Sequence, residues 1–131
     1  MSQIKALVCD DNLATLALIE TLLKRSHYQV LTAENGKRAL KIYLEGGVDV
    51  LITDIFMPEM DGLELIMDIR RRDPEAKIVA FSSGGGMYSP ERCLDIALQM
   101  GATSVISKSR IRHDLVSSLE TIFPEQSAET S

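Results

Sequence analysis

VDVLITDIFMPEMDGLEL, residues 48–65, carries an aspartate where an apolar strand should end. Asp54 follows Val50, Leu51 and Ile52 after a single threonine and stands directly before Ile55 and Phe56. A carboxylate buried among such neighbours is costly unless it is paired, hydrogen-bonded or bound to a metal. Its partners must come from elsewhere in the chain, and finding them decides the fold.

Outward from Asp54, short β-branched apolar runs alternate with helical periodicity. The runs are residues 4–9, 29–32, 48–53, 77–81 and 104–106. Several are continuously apolar, as the strands of a parallel sheet covered on both faces are. Between them, Leu13, Leu16, Ile19 and Leu23 recur at helical spacing, as do Ala39, Leu40, Tyr43 and Leu44, then Leu63, Ile66 and Met67, and finally Ile111, Leu115, Leu119 and Ile122. The fourth helix is expected to begin at Ser89 as cap, with Pro90 in the first helical position and Glu91 at the positive end of the dipole, and to stop before Gly101. Five βα units joined by right-handed crossovers form a doubly wound sheet, whose functional crevice lies at the carboxyl ends of the strands.

That geometry supplies the partners. The first strand ends in Cys9, Asp10 and Asp11, the third in Asp54, the fourth in Ser82, and the fifth reaches Lys108. An aspartate after a strand is commonly a turn residue or a helix cap, so each alone says little. Three acids, a hydroxyl and an ammonium at four strand ends are far less ordinary.

Composition bounds the remaining choices. With 131 residues, 45% hydrophobic and 25% charged, the chain suits one domain with a core of its own, expected over residues 1–123. Residues 124–131, PEQSAETS, lack apolar anchors and are expected to be disordered. A net charge of −5 argues against generic nucleic-acid binding, and no apolar run approaches the roughly 20 residues of a membrane span. The N-terminal residues lack the basic flank and cleavage site of a signal peptide, so a cytoplasmic location is expected. Cys9 and Cys93 have no metal-type spacing and read as small hydrophobes.

The acid pair in LVCDDN, the loop DIFMPEMDG with Asp54, Met57, Pro58, Asp61 and Gly62, the hydroxyl in VAFSS and the lysine in GATSVISK together resemble the receiver domain of two-component response regulators, from Ile4 to about Phe123. The resemblance implies a flavodoxin-like (βα)5 fold with a five-stranded parallel sheet of order 2-1-3-4-5. It implies that Asp54 accepts a phosphoryl group from a phosphohistidine on a histidine kinase or histidine phosphotransfer protein, with Mg²⁺ required. Asp11, Asp54 and the backbone carbonyl of Phe56 are its implied direct ligands, Asp10 a ligand through water, and Lys108 and Ser82 the phosphoryl contacts. The expected protein is a stand-alone phosphoacceptor, not a conventional enzyme, although it assists its own phosphorylation and dephosphorylation. It would signal to a separate partner through the fourth helix, fifth strand and fifth helix, with no direct nucleic-acid contact and no membrane insertion.

The chemistry of the residues is consistent with that reading. Mg²⁺ is small and hard and takes carboxylate, water and phosphate oxygens. Packed carboxylates repel one another and hold protons until a cation arrives. Asp54 would then be an aspartyl nucleophile, and Lys108 a compact charge for a phosphate oxygen.

The sequence also departs from the family. Ser109 replaces the proline that usually follows the lysine, so a trans bond is expected, since a non-proline cis bond costs about 2.5–4 kcal/mol. Val105 stands where the aromatic switch residue usually is. The stretch SSGGGMYSP, residues 82–90, is long for a strand-to-helix connection and contains Gly84, Gly85 and Gly86. It reads either as a loop that closes on the phosphoryl group with its amides or as a flexible connection. Neither Phe56 nor Gly84 can orient a hydrolytic water by a side-chain hydrogen bond, so slow self-dephosphorylation is expected.

Three other readings compete. A haloacid-dehalogenase-type phosphatase needs an acid two residues after the nucleophile, where Phe56 stands. A flavin binder needs a phosphate cradle where Asp10 and Asp11 would repel one. The third is a receiver-like interaction module independent of phosphorylation, favoured by Val105 and Ser109.

Overall fold

A computed structural model of the chain describes residues 3–57, 59–82 and 89–124. The elements in order are β1 (Lys5–Cys9), α1 (Leu13–Arg25), β2 (Gln29–Ala33), α2 (Gly36–Leu44), β3 (Val50–Asp54), α3 (Gly62–Arg72), β4 (Ile78–Ser82), α4 (Pro90–Met100), β5 (Ser104–Ser107) and α5 (Ile111–Ile122). A 3₁₀ turn, Lys108–Arg110, joins β5 to α5. The strands are all parallel and lie in the order β2-β1-β3-β4-β5, as expected. Asp54 and Ser82 fall inside their strands, as the last residues of β3 and β4. The tripled glycines and all but Pro124 of the tail lie outside the described residues.

Strand alternation divides the core into two layers. Ala6, Val8, Val50, Ile52, Val79, Phe81 and Ile106 face one side and pack with Leu16, Ile19 and Leu23 of α1 and Ile111, Leu115 and Leu119 of α5. Leu7, Cys9, Leu51, Ile78 and Ala80 face the other, against Ala39 of α2, Leu65, Ile66 and Ile69 of α3 and Cys93 and Ala97 of α4. Each large aliphatic side chain so buried contributes about 1.5–3 kcal/mol. Three residues of the helical stripes lie outside the core, however. Leu13, Leu44 and Met67 sit at the edge of their stripes and are exposed.

Four helices begin with a side-chain cap on the open N–H of their first turn. Asn12 accepts from Thr15, Asn35 from Arg38, Asp61 from Glu64 and Ser89 from Arg92. The fourth of these is the cap expected from the sequence, and α4 ends at Gly101, whose φ of 126° suits glycine. Asp61 of the DIFMPEMDG loop is thereby a capping residue.

Candidate functional site

Among the described residues, the buried polar or charged side chains are Asp10, Thr53, Asp54 and Ser82, all at the carboxyl ends of β1, β3 and β4. Asp54 and Ser82 close their strands and Asp10 follows directly on β1, so the polar groups gather where the chain leaves the sheet.

Asp10 directly follows β1, with its N–H donating to Ala33 and its Oδ1 accepting from the N–H of Asn12 at 3.0 Å. Its Oδ2 is buried and has no hydrogen-bond partner. The Lys108 ammonium lies 3.2 Å from that oxygen, an ion-pair distance without hydrogen-bond alignment, and 3.6 Å from Asp54 Oδ2. Asp54 Oδ1 accepts from the N–H of Ile55 at 2.8 Å. Burial, followed by the charge of Asp10, pushes the Asp54 carboxyl up to about 6 against the opposing pull of Lys108 and of the Ile55 and Phe56 N–H groups. Asp11 is exposed at the mouth, and the three carboxylates of Asp10, Asp11 and Asp54 each offer an oxygen within 4.8 Å of the others.

Gly62 shapes the loop after Asp54. Its N–H donates to Ile55 O at 2.7 Å, and a Cβ there would overlap the backbone carbonyl of Asp54. Glu59 and Met60 in the same loop have positive φ, 50° and 80°. The loop therefore turns back tightly beneath the aspartate, with the Phe56 side chain half-exposed at the rim.

The sites expected from sequence thus converge in part. Asp10, Asp11, Asp54 and Lys108 come together, with Ser82 buried in the next strand and in register with Ser107. No cis peptide bond occurs among the described residues, so the Lys108–Ser109 bond is trans, and Lys108 nonetheless reaches both acids. Val105 is half-buried against the α2, α3 and α4 layer. Sequence reasoning missed Asn12, whose N–H fixes Asp10, and Thr53, whose hydroxyl donates to Asp54 O at 2.9 Å. The available signal for Asn12 was Asp10 itself, since an aspartate leaving a strand commonly accepts from the N–H two residues on. Cys9 donates to Met57 Sδ at 3.3 Å, and burial pushes its thiol up to about 12, so it stays protonated as a core residue.

Comparison with known proteins fits this geometry. The family model of the response regulator receiver domain matches residues 6–120. The chain belongs to the response regulator receiver domains. A chemotaxis protein CheY of Listeria monocytogenes is 41% identical over 83 residues, covering 63% of this receiver domain chain and 70% of that protein. The structure of response regulator TrrA from Thermotoga maritima, in complex with Mg²⁺-BeF, superposes with a TM-score of 0.80 at 32% identity, covering 91% of this chain and 98% of that one. A receiver domain protein of Clostridium thermocellum gives a TM-score of 0.83 at 27% identity, over 95% and 98%. Receiver domains are the phosphoacceptor modules of two-component signalling, and no described helix of this one is long and apolar enough to cross a membrane.

Proposed function

We propose that this receiver domain accepts a phosphoryl group on Asp54 from a phosphohistidine of a histidine kinase or histidine phosphotransfer protein, in a Mg²⁺-dependent reaction. The observation that carries the reading is the placement of the Asp54 carboxylate, buried beside Asp10 and Asp11 with the Lys108 ammonium 3.6 Å away.

The donor set suits a small hard cation. Three carboxylates converge, and the Lys108 ammonium, 3.2 Å from Asp10 Oδ2 and 3.6 Å from Asp54 Oδ2, offsets only part of their charge. Asp11, Asp54 and the Phe56 carbonyl would hold Mg²⁺ directly and Asp10 through water. The ion, when bound, supplies positive charge to the acid cluster and to the phosphoryl oxygens. That the TrrA structure is in complex with Mg²⁺-BeF supports Mg²⁺ as the ion.

The chain's own groups have separate tasks. The Ile55 N–H holds Asp54 Oδ1 and orients the carboxylate, whose attack forms a P–O bond as the P–N bond of the donor breaks and the imidazole keeps the electron pair. Lys108 meets the phosphoryl charge, which is spread over the transferring oxygens, and Ser82 bonds one of them. The phosphorylated domain then signals to a separate protein through α4, β5 and α5; Leu98 of α4 is exposed. Localisation to the cytoplasm accords with such a role.

The reading is tested by incubating wild type and Asp54→Asn with phosphorylated histidine kinases in Mg²⁺. Label on wild type and none on the variant is the expected result. No transfer to wild type from any kinase of the source organism would favour the phosphorylation-independent module.

A further inference from the structure

Lys108 has no proline behind it, yet its ammonium is held at two carboxylates. Ser107, Lys108 and Ser109 leave the sheet through the 3₁₀ turn, and the Ser107 and Ser109 hydroxyls are hydrogen-bonded to each other at 3.0 Å across it. The side chain of Lys108 is a quarter exposed, so water competes for one side of it. On the protein side lies Phe81. Its ring is fully buried in the α1 and α5 layer of the core, and the Lys108 ammonium stands 5.8 Å from the ring centroid.

Phe81 sits in the middle of the arrangement. It pairs with Asp54 across β3 and β4 and with Ile106 across β4 and β5, and its carbonyl accepts from the N–H of Ile55, the same residue whose N–H holds the Asp54 carboxylate. The ring therefore stands between the acceptor strand and the strand that delivers the lysine. A four-carbon stem has many rotamers, and ordering it carries an entropic cost that a fixed contact can offset. A ring face attracts an ammonium within about 6 Å by its quadrupole, more strongly as the pair is desolvated.

We infer that Phe81 is a positioning residue for Lys108, holding the ammonium over its ring so that it is already directed at the Asp10 and Asp54 carboxylates before a phosphoryl donor arrives. The inference rests on the proposed role of Asp54 as acceptor. A leucine at position 81 keeps most of the apolar volume and removes the ring face.

A double-mutant cycle tests this in the full chain. Rates of Asp54 phosphorylation by acetyl phosphate in Mg²⁺ are measured for wild type, Phe81→Leu, Lys108→Met and the double variant, with melting temperatures alongside. Phe81→Leu is expected to slow phosphorylation roughly threefold to tenfold, the factor that a contact of this kind gives. In the Lys108→Met background the same change is expected to have no further effect. Equal slowing in both backgrounds, or none in either, overturns the inference, because a loosened core would act whether or not the lysine is present. The second readout needs no phosphorylation: in the proton NMR spectrum the Lys108 methylene next to the ammonium is expected upfield of the other lysines by the ring current, and to return to their range in Phe81→Leu. An unshifted Lys108 in wild type overturns the inference even if Asp54 proves inert to every donor, a result that would instead count against Asp54 as acceptor.

Discussion

Asp54 and Asp10 share one buried end of the sheet, and burial together with the charge of Asp10 holds the Asp54 carboxyl near 6, above the usual 3.8. A raised acid means that the folded state binds a proton which the unfolded state has already released between those values. Stability contributed by this group is therefore lost as pH rises from about 4 to about 6, and the loss amounts to at most about 3 kcal/mol above that window. Urea unfolding without divalent cations should show Asp54→Asn gaining on wild type across this range and keeping its lead at pH 7.5. A stability difference that stays flat from pH 4 to 7.5 would mean that Asp54 is not strained by its surroundings.

A cation at the acid cluster should offset that strain. Wild type in Mg²⁺ at ten times its dissociation constant gains about 1.4 kcal/mol by mass action. Removing the exposed ligand in Asp11→Ala should abolish most of the gain without disturbing the buried pair of Asp10 and Lys108. Calorimetric titration and melting curves in Mg²⁺ check this, and equal shifts in both proteins would place the ion elsewhere.

Two glycines separate steric need from backbone need. A Cβ at Gly62 would overlap the Asp54 carbonyl and lie 2.7 Å from Ile55 Cα, both backbone atoms of the acceptor loop. Gly62→Ala is expected to cost about 1–3 kcal/mol and to weaken Mg²⁺ binding as the loop shifts. Gly46 has a φ of 95° and open space around it, so Gly46→Ala should cost about 1 kcal/mol with Mg²⁺ binding unchanged. Chemical denaturation and Mg²⁺ titration of both variants distinguish the two.

Much of this was legible in the sequence because a parallel sheet writes its strands as continuous apolar runs and its site at their ends. Asp10, Asp11, Asp54, Ser82 and Lys108 all mark those ends, and the Ser89, Pro90 and Glu91 start of α4 is a local signal. What stayed hidden depends on distance between elements. Phe81 reads as one more core residue until the strand order places it between Asp54 and Lys108. Thr53 reads as an ordinary β-branched strand residue, and the Gly62 contact with Asp54 exists only once the loop has turned back. Helical periodicity located the stripes but not their margins, which is why Leu13, Leu44 and Met67 face outward.

Phe56 bears on the lifetime of the phosphorylated state. The residue is 42% exposed, two residues after Asp54, and its side chain offers no hydrogen bond to an attacking water. Phosphorylated wild type is expected to decay slowly, and Phe56→Asn with Gly84→Glu should accelerate the decay by supplying side chains able to position water. Time courses of phosphate loss in Mg²⁺ decide this. Equal rates would show that these positions do not govern the lifetime.

The most direct measurement is the intact mass of the protein after incubation with acetyl phosphate, run for wild type and Asp54→Asn, each in Mg²⁺ and in chelator. The account predicts one added phosphoryl group on wild type in Mg²⁺ and none in the other three samples. A phosphoryl group on Asp54→Asn, or an unmodified wild type in Mg²⁺, would contradict it.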